Sequence, residues 1–414
     1  MKGVLIVLDG MGDLPCSQLN DKTPLEAAEV PNLNFLAARG EMGYMYPVKQ
    51  GFVPESDEAI VSMFGNNLIS STRGRLEASG AGLNLIRGDL ALRANFATID
   101  SVEKGNIIDR RVGRTLTNAE AEILARDLNN KIKIQREFFF KPSIAHRGIL
   151  VFKGGLSDNI SGNDFMYMHG KPNLAEKIAN CKPMDDDENS QYTSNIVNEF
   201  LEKAYKILDN HPVNEERRKK GLLPANFLLV RDGGIENPKL KIYGNWISVA
   251  YMPLEIGFSK LSGMKVFSFG VPKMKKMDVY ESLYWSLKKV CKFSIKVLKK
   301  NRKRADYVYI HIKETDVPGH DNKPAEKKNM IEYIDKTLIK FLTRFAPPNH
   351  IKVVVTADHS TPCRLKTHSA DPVPVLFYNG SLPKEKTFSE KEAKKGSLGG
   401  FTGNELFGKV GFGK

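Results

Sequence analysis

The stretch that decides the fold of this chain is Val4-Leu5-Ile6-Val7-Leu8-Asp9-Gly10, close to its amino terminus. Five consecutive apolar residues predict a short buried strand, and the acid and glycine that follow suit a strand that delivers a carboxylate to a site. Similar apolar or β-branched runs recur along the chain, at Ile149–Phe152, Phe227–Val230, Val266–Phe269, Tyr307–Ile312, Val353–Thr356 and Pro374–Tyr378.

Helical patterns lie between several of these runs. Thr23-Pro24-Leu25-Glu26 has a cap residue, a proline and an acid in the order typical of a helix start. Thr117-Asn118-Ala119-Glu120 has the spacing of a capping box, and Tyr280–Leu298 carries apolar residues at helical intervals. Strands that alternate with helices predict an α/β fold whose sheet is mostly parallel and flanked by helices.

Acidic residues follow three of the predicted strands, at Asp9, in Glu314-Thr315-Asp316 and at Asp358-His359. Functional sites in open α/β sheets gather at the carboxyl ends of the strands, so these acids are expected to meet at one sheet edge. The two ends of the chain, 1–85 and 241–414, would then form one discontinuous domain. Residues 86–240, which contain strand candidates of their own, would form a smaller inserted α+β domain. The Gly- and Lys-rich tail from Lys384 onward is expected to be loosely ordered.

Composition excludes several classes of protein. The 414 residues are 41% hydrophobic and 27% charged, which is typical of a globular protein, and no apolar run reaches the length of a membrane helix. The first residues lack the pattern of a secretory signal. The four cysteines are far apart and form no CxxC pair, which argues against a structural zinc site and favours a reducing cytoplasm.

The chain is basic, with a formal net charge of +14 at pH 7. Much of the excess lies in short runs, such as Arg217-Arg218-Lys219-Lys220, that are typical of solvated helix ends. No nucleic-acid-binding motif accompanies these runs, so nucleic acid is not the expected partner. A small anionic substrate, which a basic protein attracts, is favoured instead.

Acids and histidines cluster in the last third of the chain. Asp316-Val317-Pro318-Gly319-His320 places the two residue types four apart, Asp358-His359 follows a strand, and His368 comes nine residues later. One such pair is more often ordinary hydrogen bonding, but the whole set with Asp9 predicts a metal site. Aspartate and histidine together suit manganese, zinc or iron. His311, inside a strand, and His350, just before one, are interpreted as structural.

Two further features indicate anion chemistry. Ser56, in Pro54-Glu55-Ser56-Asp57, begins a helical run; it is either a plain cap or a hydroxyl at a positive helix end that can meet a phosphate. Arginines occur at predicted strand ends and beside glycines, where they suit phosphate or carboxylate, although surface charge is the usual role of arginine. These are Arg93, Arg110, Arg111, Arg114, Arg147 and Arg231.

With these motifs the chain resembles the alkaline phosphatase superfamily and, within it, the archaeal-type 2,3-bisphosphoglycerate-independent phosphoglycerate mutases. The resemblance covers nearly the whole chain and implies an alkaline phosphatase-like fold. Further matching stretches are Asn95–Asp100, Asp109–Arg114, Gly155–Asn159 and Asp358–Cys363, with His368–Pro374. The implied reaction is the interconversion of 2-phosphoglycerate and 3-phosphoglycerate in glycolysis and gluconeogenesis, by two in-line displacements through a phosphorylated serine.

The resemblance also implies roles for individual residues. Ser56 would be the nucleophile, and Lys260 would be the family lysine beside it. Two divalent metal ions, Mn²⁺ first and Zn²⁺, Co²⁺ or Mg²⁺ as alternatives, would be bound by Asp9, Ser56, Asp358 and His359 and by Asp316, His320 and His368. The inserted domain, 86–240, would bind the substrate, through Arg93, Arg111, Arg114, His146, Arg147, Asp158 and Arg231.

One residue departs from the family pattern. Members usually carry glycine before the nucleophile, whereas this chain has Glu55, whose side chain could crowd the turn or repel an incoming phosphate. Two other functions stay open. One is a metal-dependent phosphatase or phosphotransferase that acts on another small alcohol such as homoserine. The other, favoured by Glu55 and the basic charge, is a catalytically silent anion-binding or regulatory protein. Whether the chain forms a homo-oligomer is also left open.

Overall fold

The computed structural model describes residues 1–67, 73–164, 176–270, 278–384 and 386–413, together with two short strands between 165 and 175. Its strands belong to one large sheet, one smaller sheet and a two-stranded ribbon. They are β1 (Gly3–Leu8), β2 (Gly40–Tyr46), β3 (Leu90–Ile99), β4 (Ile107–Asp109), β5 (Phe138–Pro142), β6 (Arg147–Phe152), β7 (Tyr167–Met168), β8 (Lys171–Pro172), β9 (Phe227–Gly234), β10 (Trp246–Val249), β11 (Lys265–Phe267), β12 (Tyr307–Ile312), β13 (Lys352–Thr356), β14 (Val373–Tyr378) and β15 (Gly399–Thr402).

The helices include those that the capping patterns predict. Thr23 and Thr117 each accept a hydrogen bond on Oγ1 from a backbone N–H three residues later, at 3.0 and 3.2 Å. The helices are α1 (Pro24–Ala27), α2 (Pro31–Ala38), α3 (Ser56–Met63), α4 (Arg73–Gly80), α5 (Asn118–Lys131), α6 (Glu188–Asp209), α7 (Pro212–Lys219), α8 (Pro253–Leu261), α9 (Val279–Asn301), α10 (Asp316–His320), α11 (Pro324–Ile334), α12 (Lys340–Phe345), α13 (Glu390–Ala393) and α14 (Leu406–Val410). Within the described ranges, none is long and apolar enough to cross a membrane.

The large sheet has eight strands in the order β11-β10-β12-β1-β13-β14-β2-β15. The first five are parallel to one another, and β14 is antiparallel to both of its neighbours. Val4 to Leu8 are completely buried in the centre of this sheet, as expected for a strand covered by helices on both faces. The predicted α/β fold with a mostly parallel sheet is confirmed.

The smaller sheet is antiparallel and has the order β4-β3-β6-β5, with β9 paired to β3. It has its own apolar core, which includes Phe96, Phe140, Phe152 and Phe200. Its strands come from the middle of the chain, whereas the large sheet takes strands from both ends. We therefore propose the boundaries near residues 85 and 240 for an inserted domain.

The carboxyl-terminal tail differs from the expectation of loose order. β15 pairs with β2 in parallel and extends the large sheet. Leu406, Val410 and Phe412 are buried, and the ring of Phe412 lies 5.0 Å from that of Tyr307. The prediction was wrong because the glycines and lysines of this segment separate apolar residues that are buried against the sheet.

Candidate active site

Three aspartates meet at one edge of the large sheet. Asp9 follows β1, Asp316 comes after β12, and Asp358 comes after β13; β1 lies between the other two strands and pairs with both. Gly10 lets these loops approach each other, because it has a φ of +60° and a Cβ there would lie 2.7 Å from Asp316 Oδ1. The predicted meeting of the acids at the carboxyl ends of the strands is therefore observed.

Asp9, Asp358 and His359 form a first group of buried donor atoms, all within 4.8 Å of one another. His359 Nε2 lies 3.3 Å from Asp9 Oδ1 and 3.5 Å from Asp358 Oδ2. Among the described residues, Asp358 Oδ2 accepts no hydrogen bond although it is buried. Ser56 Oγ lies 3.3 Å from His359 Nε2 and so joins this group. Buried oxygen and imidazole donors that converge in this way fit a divalent cation.

Asp316, His320 and His368 form a second group with the same spacing. Asp316 lies 3.4 Å from His320 Nε2 and 3.8 Å from His368 Nε2. The ring of His368 is also stacked on that of His359, with centroids 3.7 Å apart. The two groups are therefore neighbours. The side chains that the family resemblance assigns to each metal ion lie together in the corresponding group, and their role as metal ligands stays a prediction.

Each histidine of the two groups directs Nε2 towards the acids and is held in place by a hydrogen bond at Nδ1. His320 Nδ1 lies 3.0 Å from the carbonyl oxygen of Lys366, and His368 Nδ1 lies 2.9 Å from that of Pro54. His359 Nδ1 lies 3.0 Å from the hydroxyl oxygen of Thr361. Thr361 in turn donates to Asp316 Oδ1 at 2.7 Å, which connects the two groups. A proton held on Nδ1 leaves the Nε2 lone pair available for a metal, as in well-formed metal sites.

Ser56 is the first residue of α3, and its hydroxyl lies beside a lysine. Lys313 Nζ is 3.3 Å from Ser56 Oγ, contacts Asp9, and is 2.9 Å from Glu255 Oε1. Burial lowers the pKa of Lys313, although nearby acids such as Asp358 act in the opposite direction. A cation so placed can stabilise negative charge on the serine oxygen.

The lysine that sequence analysis assigned to this position was the wrong one. Lys260 lies near the end of α8, is exposed, and directs its Nζ towards the carbonyl oxygen of Ser79 at 3.5 Å. Lys313, one residue beyond β12, lies beside the serine instead. Its place at the same sheet edge as Asp9 is the signal that could have found it.

Replacement of the two lysines should separate their roles. We expect Lys313→Met to lower kcat about 10²- to 10³-fold, because it removes a preorganised cation from beside Ser56, the predicted nucleophile. Lys260→Met should stay within about twofold of the unchanged protein, as surface substitutions usually do. Initial rates at saturating phosphoglycerate would measure both. The assignment of Lys313 would be contradicted by equal losses in the two variants.

A cavity of about 250 Å³ lies between the large sheet and the smaller sheet. From the large-sheet side it is lined by Asp9, Ser56, Lys313, Asp316, His320 and His368, among others. From the other side it is lined by Arg93, Arg111, Arg114, His146, Arg147 and Arg231, which are six of the seven substrate-binding residues implied by the resemblance. The predicted residues are thus brought together around the serine.

Asp158 is the exception. It is half-buried at the edge of the smaller sheet, where Oδ2 accepts a hydrogen bond from the backbone N–H of Ile235 at 3.2 Å, and it does not line this cavity. The prediction failed because a matching sequence stretch does not fix the direction of a side chain.

Several buried polar atoms on the wall of the cavity have no hydrogen-bond partner among the described residues. They include Asn95 Oδ1, Ser143 Oγ and His146 Nδ1. Burial lowers the pKa of His146 well below its ordinary value, and the positive charges of Arg147 and Arg111 lower it further. His146 is therefore a neutral imidazole at neutral pH. Buried polar groups are normally paired, so these atoms support a polar ligand in the cavity.

Glu55, the residue that departs from the family pattern, is held by arginines. Its carboxylate is 2.8 Å from Arg231 Nη2 and 3.5 Å from Arg93 Nη1, and it also contacts Arg73. Burial alone would raise the pKa of Glu55, but the positive charges of Arg231, Arg73 and Arg93 outweigh it and hold the pKa below its ordinary value. The side chain does not crowd the turn, because it points towards these guanidinium groups.

Two buried residues beside the first group were not predicted as part of the site. His311, interpreted above as structural, lies on β12 with Nε2 3.3 Å from Asp9 Oδ2 and 3.5 Å from Asp358 Oδ2. Glu255, near the start of α8, forms a closely spaced set of donors with Asp9 and His311. Their position follows from strand pairing and helix packing, which have no local sequence signal.

Known proteins are similar to this chain over nearly its whole length. A family model described as 2,3-bisphosphoglycerate-independent phosphoglycerate mutase matches residues 37–214. A protein of that name from Pyrococcus furiosus is 38% identical over 415 residues, which cover 98% of this chain and 95% of the relative. The chain belongs to this family. Another mutase, from Methanosphaera stadtmanae, is 35% identical, and the match covers 98% of this chain and 96% of that relative.

Solved structures agree with the mutase assignment. A cofactor-independent phosphoglycerate mutase from Thermoplasma acidophilum is 32% identical, with a TM-score of 0.57 and coverage of 99% of both chains. A protein from Pyrococcus horikoshii has a TM-score of 0.74 at 29% identity and covers 100% of this chain and 98% of its own. The fold of this chain is thus that of a phosphoglycerate mutase.

Proposed function

We propose that this protein interconverts 2-phosphoglycerate and 3-phosphoglycerate, in glycolysis and gluconeogenesis, by way of a phosphoserine at Ser56. The observation that carries the proposal is the position of Ser56 Oγ. It lies beside two acid–histidine groups and lines the same cavity as the arginines of the smaller sheet. The names of the relatives supply the substrate. The four cysteines are all free and buried, which supports the proposed cytoplasmic location.

The first displacement would take place at Ser56. Its oxygen, freed of its proton, attacks the phosphorus of the bound phosphoglycerate, and Lys313 stabilises the charge on that oxygen. The P–O bond to glycerate breaks, and the released glycerate oxygen takes up a proton and becomes a hydroxyl. Two divalent cations, Mn²⁺ by preference, would be held by Asp9, Ser56, Asp358 and His359 and by Asp316, His320 and His368. When bound, such ions lower the pKa of a hydroxyl and neutralise phosphoryl charge.

The second displacement requires that glycerate stay in the cavity and turn. Arginines such as Arg147 would hold its carboxylate, while the neutral imidazole of His146 hydrogen-bonds to a hydroxyl group of glycerate. The other hydroxyl then loses its proton and attacks the phosphorus; the bond between phosphorus and Ser56 Oγ breaks, and the serine hydroxyl regains a proton. Arg114, which lies in a turn after β4, forms a 2.7 Å ion pair with Asp321, next to His320 on the large-sheet side. This bridge helps to close the cavity and exclude water, which separates a mutase from a phosphatase.

Product analysis tests the proposal. The protein with Mn²⁺ would be incubated with each phosphoglycerate in turn, and the reaction would be stopped with chelator and resolved by phosphorus NMR. We expect the same mixture of isomers from either direction, with little free phosphate. Free phosphate without exchange of isomers would defeat the mutase proposal and favour the metal-dependent phosphatase or the transferase that acts on another small alcohol.

A further inference from the structure

Glu55 places a carboxylate inside the cavity that contains the nucleophile. It is adjacent to Ser56 in the chain, is 8% exposed, and lines the same cavity. Its partners come from three elements: Arg231 from β9, Arg93 from β3 and Arg73 from the start of α4. One residue beside the nucleophile is therefore bound to three cationic side chains, two of which belong to the smaller sheet.

Two of these arginines have a second use. Arg93 and Arg231 line the cavity that the substrate would enter, and both are predicted substrate ligands. A guanidinium group binds a carboxylate and a phosphate through the same planar set of N–H donors. Both oxygens of Glu55 meet Arg231, Oε1 at 2.8 Å and Oε2 at 3.1 Å. Glu55 thus makes the contacts that a substrate oxyanion would make.

We propose that Glu55 is a built-in competitor of the substrate oxyanion and thereby sets the anion affinity of the site. Its carboxylate and the incoming phosphate or carboxylate share Arg93 and Arg231, so binding requires that Glu55 give up these contacts. The identity of the natural ligand rests on the function proposed above, but the competition for the guanidinium groups does not.

The competition is effective because Glu55 is covalently attached next to the arginines that it binds. A carboxylate held next to its partner group by a short stretch of chain acts at an effective concentration of about millimolar or more. A ligand displaces it only by forming more or stronger charge-assisted hydrogen bonds, as a doubly charged phosphate can. Glycine at position 55 would provide no such competitor. Glu55 is therefore a residue that tunes specificity in this chain.

Titration of inorganic phosphate into the manganese-loaded, full-length protein tests the proposal by calorimetry. We expect Glu55→Gln to lower the Kd for phosphate at least about tenfold, since loss of the competing charge is worth one strong charge-assisted contact. Glu55→Asp, which keeps the charge, should remain nearer to the unchanged protein. The matched control is Asp57→Asn, which also removes a carboxylate that pairs with an arginine, Arg73, at 3.0 Å. The Kd of this variant for phosphate should change less than about threefold.

Unchanged or weaker phosphate binding in Glu55→Gln would overturn the proposal. Glu55 would then hold together arginines that otherwise repel one another. If the variant does not fold, a crystal structure of the unchanged protein soaked with phosphate decides the matter. Glu55 should have left Arg93 and Arg231, and a carboxylate still bound to both beside a phosphate would overturn the proposal.

The readout also separates this inference from the proposed function. Tighter phosphate binding in Glu55→Gln, with no exchange of phosphoglycerates in the unchanged protein, would defeat the mutase reaction alone. An active mutase whose phosphate affinity does not depend on Glu55 would defeat the competition alone. Kinetics add a second measure, because a competitor lowers affinity without taking part in chemistry. Glu55→Gln should therefore lower the KM for phosphoglycerate more than it changes kcat.

Discussion

Ser56→Ala is expected to lower the turnover of either phosphoglycerate by at least about 10⁴-fold, because loss of a nucleophile removes the covalent route entirely. Binding should survive, since the arginines of the cavity are unchanged. Isomer exchange would be followed by phosphorus NMR. Brief incubation of the unchanged protein with phosphoglycerate, followed by acid quench and mass spectrometry, should show a phosphate group on the peptide that contains Ser56.

The same helix supplies a matched control. Ser62 lies on α3 with Ser56 and is also buried, but it does not line the cavity. Ser62→Ala should keep activity within about fivefold, with any loss traceable to stability. Exchange at a normal rate by Ser56→Ala would contradict the assignment of the nucleophile. A phosphopeptide that maps to another residue would do the same.

Removal of the metal ions is the second change with a large expected effect. Chelation should abolish exchange, and added Mn²⁺ should restore it, because cations would neutralise the charge on the phosphoryl group and on the buried acids. Asp358→Asn should lower kcat by more than about 10³-fold and reduce the bound manganese from two ions per chain to one. Elemental analysis of dialysed protein measures the metal content directly.

Asp335 provides the control for this substitution. It is also fully buried, but it accepts hydrogen bonds from the backbone N–H of Leu33 at 2.7 Å and from Asn32 Nδ2 at 2.8 Å, away from the metal groups. Asp335→Asn should lower the thermal midpoint while it keeps both ions. Full manganese content in Asp358→Asn would contradict the assignment of this ligand.

The local pattern was enough to predict most of the large sheet. The apolar run Tyr307–Ile312 coincides with β12, and Val353–Thr356 lies within β13. Capping motifs placed the starts of α1 and α5, because a cap is a contact between residues three apart. These features depend on neighbours in sequence, so the sequence carries them. The carboxyl ends of parallel strands then predicted that Asp9, Asp316 and Asp358 would meet.

Contacts between distant residues were decided only by the tertiary structure. Lys313 rather than Lys260 lies beside the serine, because α8 turns the latter outward while β12 delivers the former to the sheet edge. Glu55 looked like an obstacle in the sequence, and the arginines that donate hydrogen bonds to its carboxylate lie 18 to 176 positions away in the chain. Such pairs have no signal in the sequence around either residue, since their geometry is set by how the two sheets pack. The sequence by itself determined most strands of the large sheet, the caps and the residue types of the acid–histidine groups, and tertiary packing decided which charges face Ser56.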